Sequence, residues 1–395
     1  MTPIRLTAVL THPIQYYSAW FRFIAAQVPE LSLAVVHAVE PTAEQQGVGF
    51  ERAFTWDTPL LEGFESVTVR SSRPAERVDT KHFWSLDVPE VAKAVERTHP
   101  DVALVTGWYS VTLIRALRAC RRLGIPVLYR GDSHLLSGPA GWRRPLWSVK
   151  TWLLLRQFDG YLSPGKRVSE YLDRFGVAAE RIFQVPHGVD NDFFATCAAR
   201  YRTPAAREKA RREWGITADE FVPLFVGKLT RSKRPLNVAR AVARLQDKAT
   251  FLVVGTGSEQ ADLEAEARRL NVNMKLVGFL NQTELGRAYA VADCLTLPSD
   301  FPETWGLVVN EALATGLPVV VSDAVGCAPD LVVNGETGYV YPLDDIQALA
   351  ARLDAVRRRK AEGHDWGPAC RALIARYSYP QMSSGLLRAC RAMVH

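Results

Sequence analysis

Cysteine is scarce and scattered. The six in 395 residues, at positions 120, 197, 294, 327, 370 and 390, include no close pair. Neither a disulfide framework nor a zinc site has the spacing it needs, and a reducing cytosol suits the chain best. Long hydrophobic runs are lacking too. The most apolar stretch, around Trp152–Leu155, is flanked by Lys150 and Arg156, far short of the roughly 20 residues a membrane helix needs. The opening MTPIRLTAVLTHPIQ has no basic start, apolar core or small-residue cleavage site, so it reads as a first strand rather than a signal peptide. No charge of one sign dominates: the net charge is +6, and residues 1–200 carry 23 basic and 20 acidic side chains. Without a basic arm, general nucleic-acid binding is a poor reading, whereas anionic small molecules remain compatible. The glycines of Gly255-Thr256-Gly257 lack the third member of a dinucleotide fingerprint, and no Walker-type sequence is present. Hydride and phosphoryl transfer therefore lose their usual binding turns.

What is present is an apolar content of 48%, ample for a packed core at a length that suits two domains. Short β runs alternate with helical stretches, and the rhythm occurs twice. Arg5–Leu10, Leu33–His37, Val102–Thr106, Pro126–Tyr129 and Gly160–Ser163 form the first series, with helices expected at Val88–Thr98 and Val111–Arg122. Leu224–Gly227, Thr250–Val254, Met274–Val277, Cys294–Leu297 and Val319–Ser322 form the second. Alternating βα units argue for parallel sheets covered by helices on both faces, hence an α/β protein with two doubly wound parallel-sheet domains facing across a cleft. Asn191–Trp214, polar and helical, reads as the linker. Ligands of such sheets bind at the carboxyl ends of the strands, so the residues just after each strand are the ones to inspect.

The richest window is LPSDFPETWGLVVNEALATGLPVVVSDAV, residues 297–325. A strand ends at Leu297, a polar loop carries Glu303, and a helix is expected to begin near Trp305–Gly306, hold Glu311 and stop at Gly316. A loop-to-helix junction offers free N–H groups and the positive end of a helix dipole, which favours phosphate. Glu303 and Glu311 are eight residues apart, at most ~12 Å along a continuous helix. That is wider than the roughly 5–9.5 Å of a glycosidase carboxylate pair, and it suits two hydroxyl-bearing groups separated by a diphosphate. Two solvated acids on an ordinary helix would show the same spacing.

Glu, seven residues, Glu, with Trp-Gly-Leu after the first acid and Ala after the second, resembles the family 4 retaining glycosyltransferases (group 1 type) of the GT-B fold. Val226-Gly227-Lys228-Leu229 with Lys233 and Pro235, Phe251–Gly257, Val277-Gly278-Phe279-Leu280, Asn334–Gly338 and Pro186–Asp190 are similar to that family's segments in order. The likeness is specific over residues 180–345 and architectural over 1–140. It implies an N-terminal acceptor-side domain over 1–195, a nucleotide-sugar-binding domain over 196–376, and a C-terminal helix over 377–395 crossing back to the first domain. It implies that Lys228 and Lys233 neutralise a donor diphosphate, with Lys228 where arginine is more usual. Glu311 would hold the ribose, backbone around Gly278, Phe279 and Leu280 the base, and Glu303 with the amides of Trp305, Gly306 and Leu307 the sugar and phosphates. Gly227 would lie at the strand end beneath the diphosphate.

The first half departs from the family's paired-glycine turn, having Thr11-His12-Pro13-Ile14-Gln15-Tyr16-Tyr17 instead. His12 and Gln15 are candidate substrate contacts or parts of a capped scaffold turn. After the strand PVLY, Asp132 stands closest to the family's catalytic position beside the transferred sugar, with His134 behind it, a lone histidine being more often structural. Asp190-Asn191-Asp192 has an Asp-any-Asp form, and the reading favoured is a capping turn rather than a metal site. No catalytic metal and no cofactor are expected. Residues 135–156 carry Arg143, Arg144, Lys150, Trp142, Trp147 and Trp152 without an acid. The reading favoured is a solvent-facing helix with its tryptophans packed inward, the alternative a peripheral contact with the inner face of a membrane. The expected activity is retaining, metal-independent transfer of a hexosyl-type sugar from a nucleotide diphosphate sugar to an acceptor hydroxyl on a saccharide, lipid or small molecule, in the cytoplasm. A nucleotide-sugar epimerase and a non-catalytic nucleotide-sugar-binding subunit are the alternatives.

Overall fold

Strands buried on both faces must be apolar throughout, and the short runs of this chain meet that demand. The computed structural model describes residues 2–71, 82–139 and 141–394. Its strands are β1 (Ile4–Leu10), β2 (Leu31–His37), β3 (Glu65–Thr68), β4 (Val102–Val105), β5 (Val127–Arg130), β6 (Gly160–Ser163) and β7 (Ile182–Gln184), then β8 (Pro223–Val226), β9 (Thr250–Val254), β10 (Asn273–Leu276), β11 (Cys294–Leu297), β12 (Val319–Ser322) and β13 (Gly338–Tyr341). They form two parallel sheets, ordered β3-β2-β1-β4-β5-β6-β7 and β10-β9-β8-β11-β12-β13. Each order turns back once, between β1 and β4 in the first sheet and between β8 and β11 in the second. At such a reversal the loops leaving two neighbouring strands diverge and open a crevice, which is where doubly wound sheets hold ligands.

The chain divides into two units. The first comprises Met1–Gln46, Phe54–His187 and Tyr379–His395, the second Gly47–Ala53 and Gly188–Ser378. The first unit thus gives way at His187 rather than at 195, and again takes up the chain at Tyr379. In the first unit, β1 sends Leu6, Ala8 and Leu10 to one face and Val9 to the other. The former face is covered by the helix Gln15–Gln27, through Tyr17, Trp20, Phe21 and Ile24, and by the helix Tyr379–Val394, through Met382, Leu386 and Cys390. Trp20 Nε1 donates to Ser383 Oγ at 3.0 Å, tying these helices together. The opposite face packs beneath the helices Val91–Arg97, Val111–Arg122 and Lys166–Arg174.

In the second unit the stretch read as a linker is built in. The helix Asn191–Ala199 buries Phe194, Cys197 and Ala198, and the helix Pro204–Arg212 buries Ala210 and Arg211. Arg207 and Arg211 reach Asp293 at 2.7 and 3.0 Å, and Lys360 reaches it at 2.6 Å. Burial alone would push the Asp293 carboxyl up; Arg211, Lys360 and Arg207 hold it below its ordinary value instead. A buried carboxylate with three cations is compensated, so arginines that look like surface charge in the sequence fasten this segment to the residue preceding β11.

Candidate functional site

The loops at the β8/β11 reversal assemble the second unit's candidate site. β8 is followed at once by Gly227, whose φ of 150° suits glycine, and the turns after β8 and β9 approach closely. A Cβ on Gly255 would lie 1.9 Å from Gly227 O, and one on Gly257 would lie 2.6 Å from Leu229 O. Leu229 N–H donates to Thr256 O at 2.9 Å. The loop thus pinned carries Lys228 and the single 3-10 turn Arg231–Lys233.

The loop leaving β11 meets it. Asp300 N–H donates to Ser232 O at 2.9 Å, and Lys233 Nζ donates to the Glu303 carboxylate. The chain then turns through Gly306, with φ of 98°, into the helix Leu307–Ala314, whose N-terminus receives no side-chain cap. A side chain at Gly306 would strike Leu297 at 2.8 Å. Trp305 is buried, and its Nε1 donates to Asn310 Oδ1 at 2.9 Å, fixing the first helical turn. The product is a lysine–carboxylate pair beside an uncapped helix N-terminus, a setting that favours an oxyanion.

Glu303 and Glu311 do not share a helix, because the helix begins at Leu307. Glu311 is buried and accepts from Tyr289 Oη. Burial pushes its carboxyl up to about 7, although the tyrosine hydrogen bond acts the other way. Gly278, with φ of 77°, follows β10 and accepts from Gly255 N–H at 2.8 Å, leaving Phe279 and Leu280 half-buried beside it. Lys228 Nζ donates to Val48 O at 2.8 Å and stands 4.9 Å from the Phe50 ring. Tyr289 and residues 47–53 escaped sequence reasoning, since their partners are remote in the chain.

In the first unit the β1/β4 reversal is spanned by Thr11 Oγ1, which is 2.9 Å from His12 Nδ1 and 3.0 Å from Tyr109 Oη. Burial holds the His12 imidazole down at about 4, so it is neutral at physiological pH. Gln15, half-buried, opens the next helix. Asp132, just after β5, is within electrostatic range of Tyr16, Tyr17 and Tyr109. His134 is 1% exposed, and its backbone N–H donates to Ser137 Oγ at 3.1 Å. Arg130 is buried under the same turn, donating to Tyr17 Oη at 3.2 Å and Val185 O at 2.9 Å. Asp190 caps the helix Asn191–Ala199 by accepting from Phe193 N–H at 2.9 Å.

The tryptophans at 142–152 depart from expectation. Trp147 packs inward against Tyr171 and Phe175, but Trp142 is 81% exposed and Trp152 is 40% exposed. They join Leu146, Val149 and Leu153 on the open side of the helix Arg144–Leu155. Ala140 of the 135–156 stretch lies outside the described residues. Among the described residues no helix is long and apolar enough to cross a membrane.

The family model for glycosyl transferases group 1 matches residues 206–372, and that for glycosyltransferase family 4 matches residues 49–193. This chain belongs to the family 4 glycosyltransferases. Its fold is GT-B: the structure of Anabaena HepE in complex with UDP and glucose matches with a TM-score of 0.74, at 18% identity, over 98% of this chain and all of that one. Among curated relatives, D-inositol 3-phosphate glycosyltransferase of Mycobacteroides abscessus is 32% identical over 50% of this chain and 46% of its own length. Glycogen synthase of Mycobacterium tuberculosis is 27% identical over 75% of this chain and 70% of its own length. This family 4 chain therefore spans about half the length of the former relative and 70% of the latter.

Proposed function

We propose that this chain transfers a sugar, with retention of configuration and without a metal ion, from a nucleotide diphosphate sugar to an acceptor hydroxyl. The observation that carries the proposal is the pairing of Lys233 with Glu303 at the β8/β11 reversal, beside the uncapped helix at Leu307. The leaving diphosphate gathers charge as the glycosidic bond breaks. Lys228, Lys233 and the helix N–H groups meet that charge where it develops, an electrostatic role. Glu303 keeps Lys233 in place and, with the amides of Trp305, Gly306 and Leu307, holds the sugar and phosphates. Glu311 takes the ribose hydroxyls, and the backbone at Gly278, Phe279 and Leu280 takes the base. Two lysines and a helix terminus supply the positive charge that a divalent ion would otherwise provide.

In the first unit, Asp132, His12 and Gln15 are the candidate substrate contacts. The UDP and glucose held by Anabaena HepE favour a uridine nucleotide and a hexose as the donor. The exposed Trp142–Leu153 face, basic and without an acid, rests on an anionic membrane surface, which admits an acceptor presented by lipid.

The test is to incubate the protein with nucleotide sugars, with and without candidate acceptor, and to follow nucleotide diphosphate by chromatography. Release that requires acceptor, with the product's anomeric configuration matching the donor's by NMR, supports the proposal. An isomerised nucleotide sugar would assign an epimerase instead, and binding without turnover a non-catalytic subunit.

A further inference from the structure

Residues Gly47–Ala53 lie in the sequence between β2 and β3, yet they are built into the second unit while their neighbours Gln46 and Phe54 belong to the first. Their backbone is shaped for a close turn. Gly49 and Glu51 have positive φ, 86° and 53°, and a Cβ on Gly47 would lie 1.9 Å from Arg52 O. The turn presents the carbonyls of Val48 and Phe50 to the second unit. Val48 O accepts from Lys228 Nζ at 2.8 Å, and Phe50 O accepts from Thr256 Oγ1. The Phe50 ring stands edge-on to Phe279, centroids 5.1 Å apart at 79°, and Lys228 Nζ lies 4.9 Å from the same ring. Arg52 approaches the other aromatic of the pair, 5.9 Å from the Phe279 centroid.

These groups belong to the donor site assigned above: Lys228 to the diphosphate, and Phe279 to the segment whose backbone takes the base. The turn gives them an oxygen for the ammonium and a flat ring for the aromatic, the same two chemistries that a nucleotide diphosphate carries at its two ends. We infer that Gly47–Ala53 is an internal stand-in for the nucleotide, a strap that engages Lys228 and Phe279 in the unliganded protein and is displaced by the donor. The inference rests on the donor-site reading of those two residues. The contacts described are two hydrogen bonds, one edge-on aromatic pair and two cation–π approaches, each individually modest. The strap is therefore in equilibrium with a released form, and the fraction engaged lowers the apparent affinity for nucleotide.

Calorimetric titration of UDP, GDP, ADP and dTDP into the wild-type chain and into Phe50→Ala tests this. Phe50 is half-buried at the surface, so its truncation leaves the core intact, while both ring contacts are lost. The nucleotide that binds wild type should bind Phe50→Ala about 3- to 10-fold more tightly. Hydrogen exchange of the wild-type chain should show residues 47–53 exchanging faster when that nucleotide is added. Unchanged or weaker binding by Phe50→Ala, or protection of 47–53 by nucleotide, would overturn the strap and leave the donor site standing. If none of the four nucleotides binds either protein, the donor-site reading falls and the strap falls with it.

Discussion

Replacing Glu311 with glutamine keeps the side chain's shape and an oxygen to accept from Tyr289 Oη, and deletes only the ionisable proton. Burial raises the Glu311 carboxyl from an ordinary 4.5 to about 7. Between those two pH values the folded protein holds a proton that the unfolded chain has lost, so the group's contribution to stability falls as pH rises through the window and levels off above it. The gap corresponds to about 3 kcal/mol at the upper end. For a unit of this size that is a difference of about 6–12 °C in the thermal midpoint. Glu311→Gln should therefore melt close to wild type at pH 4.5 and clearly above it at pH 8. The imidazoles of His12 and His37, both held down at about 4 by desolvation, run the other way. Their folded values lie below the unfolded one, so they cost stability as pH falls. That slope is common to both proteins and cancels in their difference. Calorimetric melts at both pH values are the assay. Parallel profiles for the two proteins would mean that Glu311 ionises as in water, and the dry pocket shared with Tyr289 would be refuted. A ribose contact made before and during reaction alike should also leave turnover nearly unchanged in Glu311→Gln while weakening nucleotide affinity.

Lys233→Ala should lower turnover at least about 100-fold, since removing a donor aimed at developing charge costs roughly 2.7–4 kcal/mol. Lys228→Ala should behave alike and Lys228→Arg should keep much of the activity; steady-state assays with normal rates for both alanine variants would refute the clamp. Glu303→Gln should bind free nucleotide diphosphate almost normally by calorimetry yet transfer slowly, and loss of binding there with retention in Glu311→Gln would reverse the donor's direction. Turnover should persist in excess EDTA; abolition by chelator with recovery on manganese would turn attention to Asp190 and Asp192. Wild type should sediment with vesicles containing anionic lipid, and Trp142→Ala with Leu146→Ser should not; equal sedimentation would refute the membrane-facing role of the helix Arg144–Leu155.

How much of this was legible in the sequence follows from where each strand sits. The interior strands are continuous apolar runs, such as VALV of β4 and VVV of β12, because helices cover both faces. The three strands that the sequence reading missed, β3, β7 and β13, are each at the edge of a sheet, as is β10, whose NMKL is no continuous apolar run either. An edge strand pairs on one side only and is partly exposed, as β3 is along ESVT, so no apolar run need mark it. The backbone of the candidate site was legible for a related reason: glycine at 227 and 306, together with a helix start, records local demands on φ and on side-chain volume.

Long-range pairings leave no such record. Arg211 reads as surface charge until Asp293, 82 residues away, is folded against it. Lys233 and Glu303 are 70 residues apart, and Val48 and Lys228 are 180 apart. In each case the residue type announces a charge or a carbonyl, and only the strand order says what that group will meet. The β8/β11 adjacency brings the loops of Lys233 and Glu303 together, because those two strands are neighbours in the sheet although β9 and β10 intervene in the sequence. The chemistry of the candidate site is therefore written in two places: residue identity sets what each group can do, and the reversal of strand order decides which groups do it together.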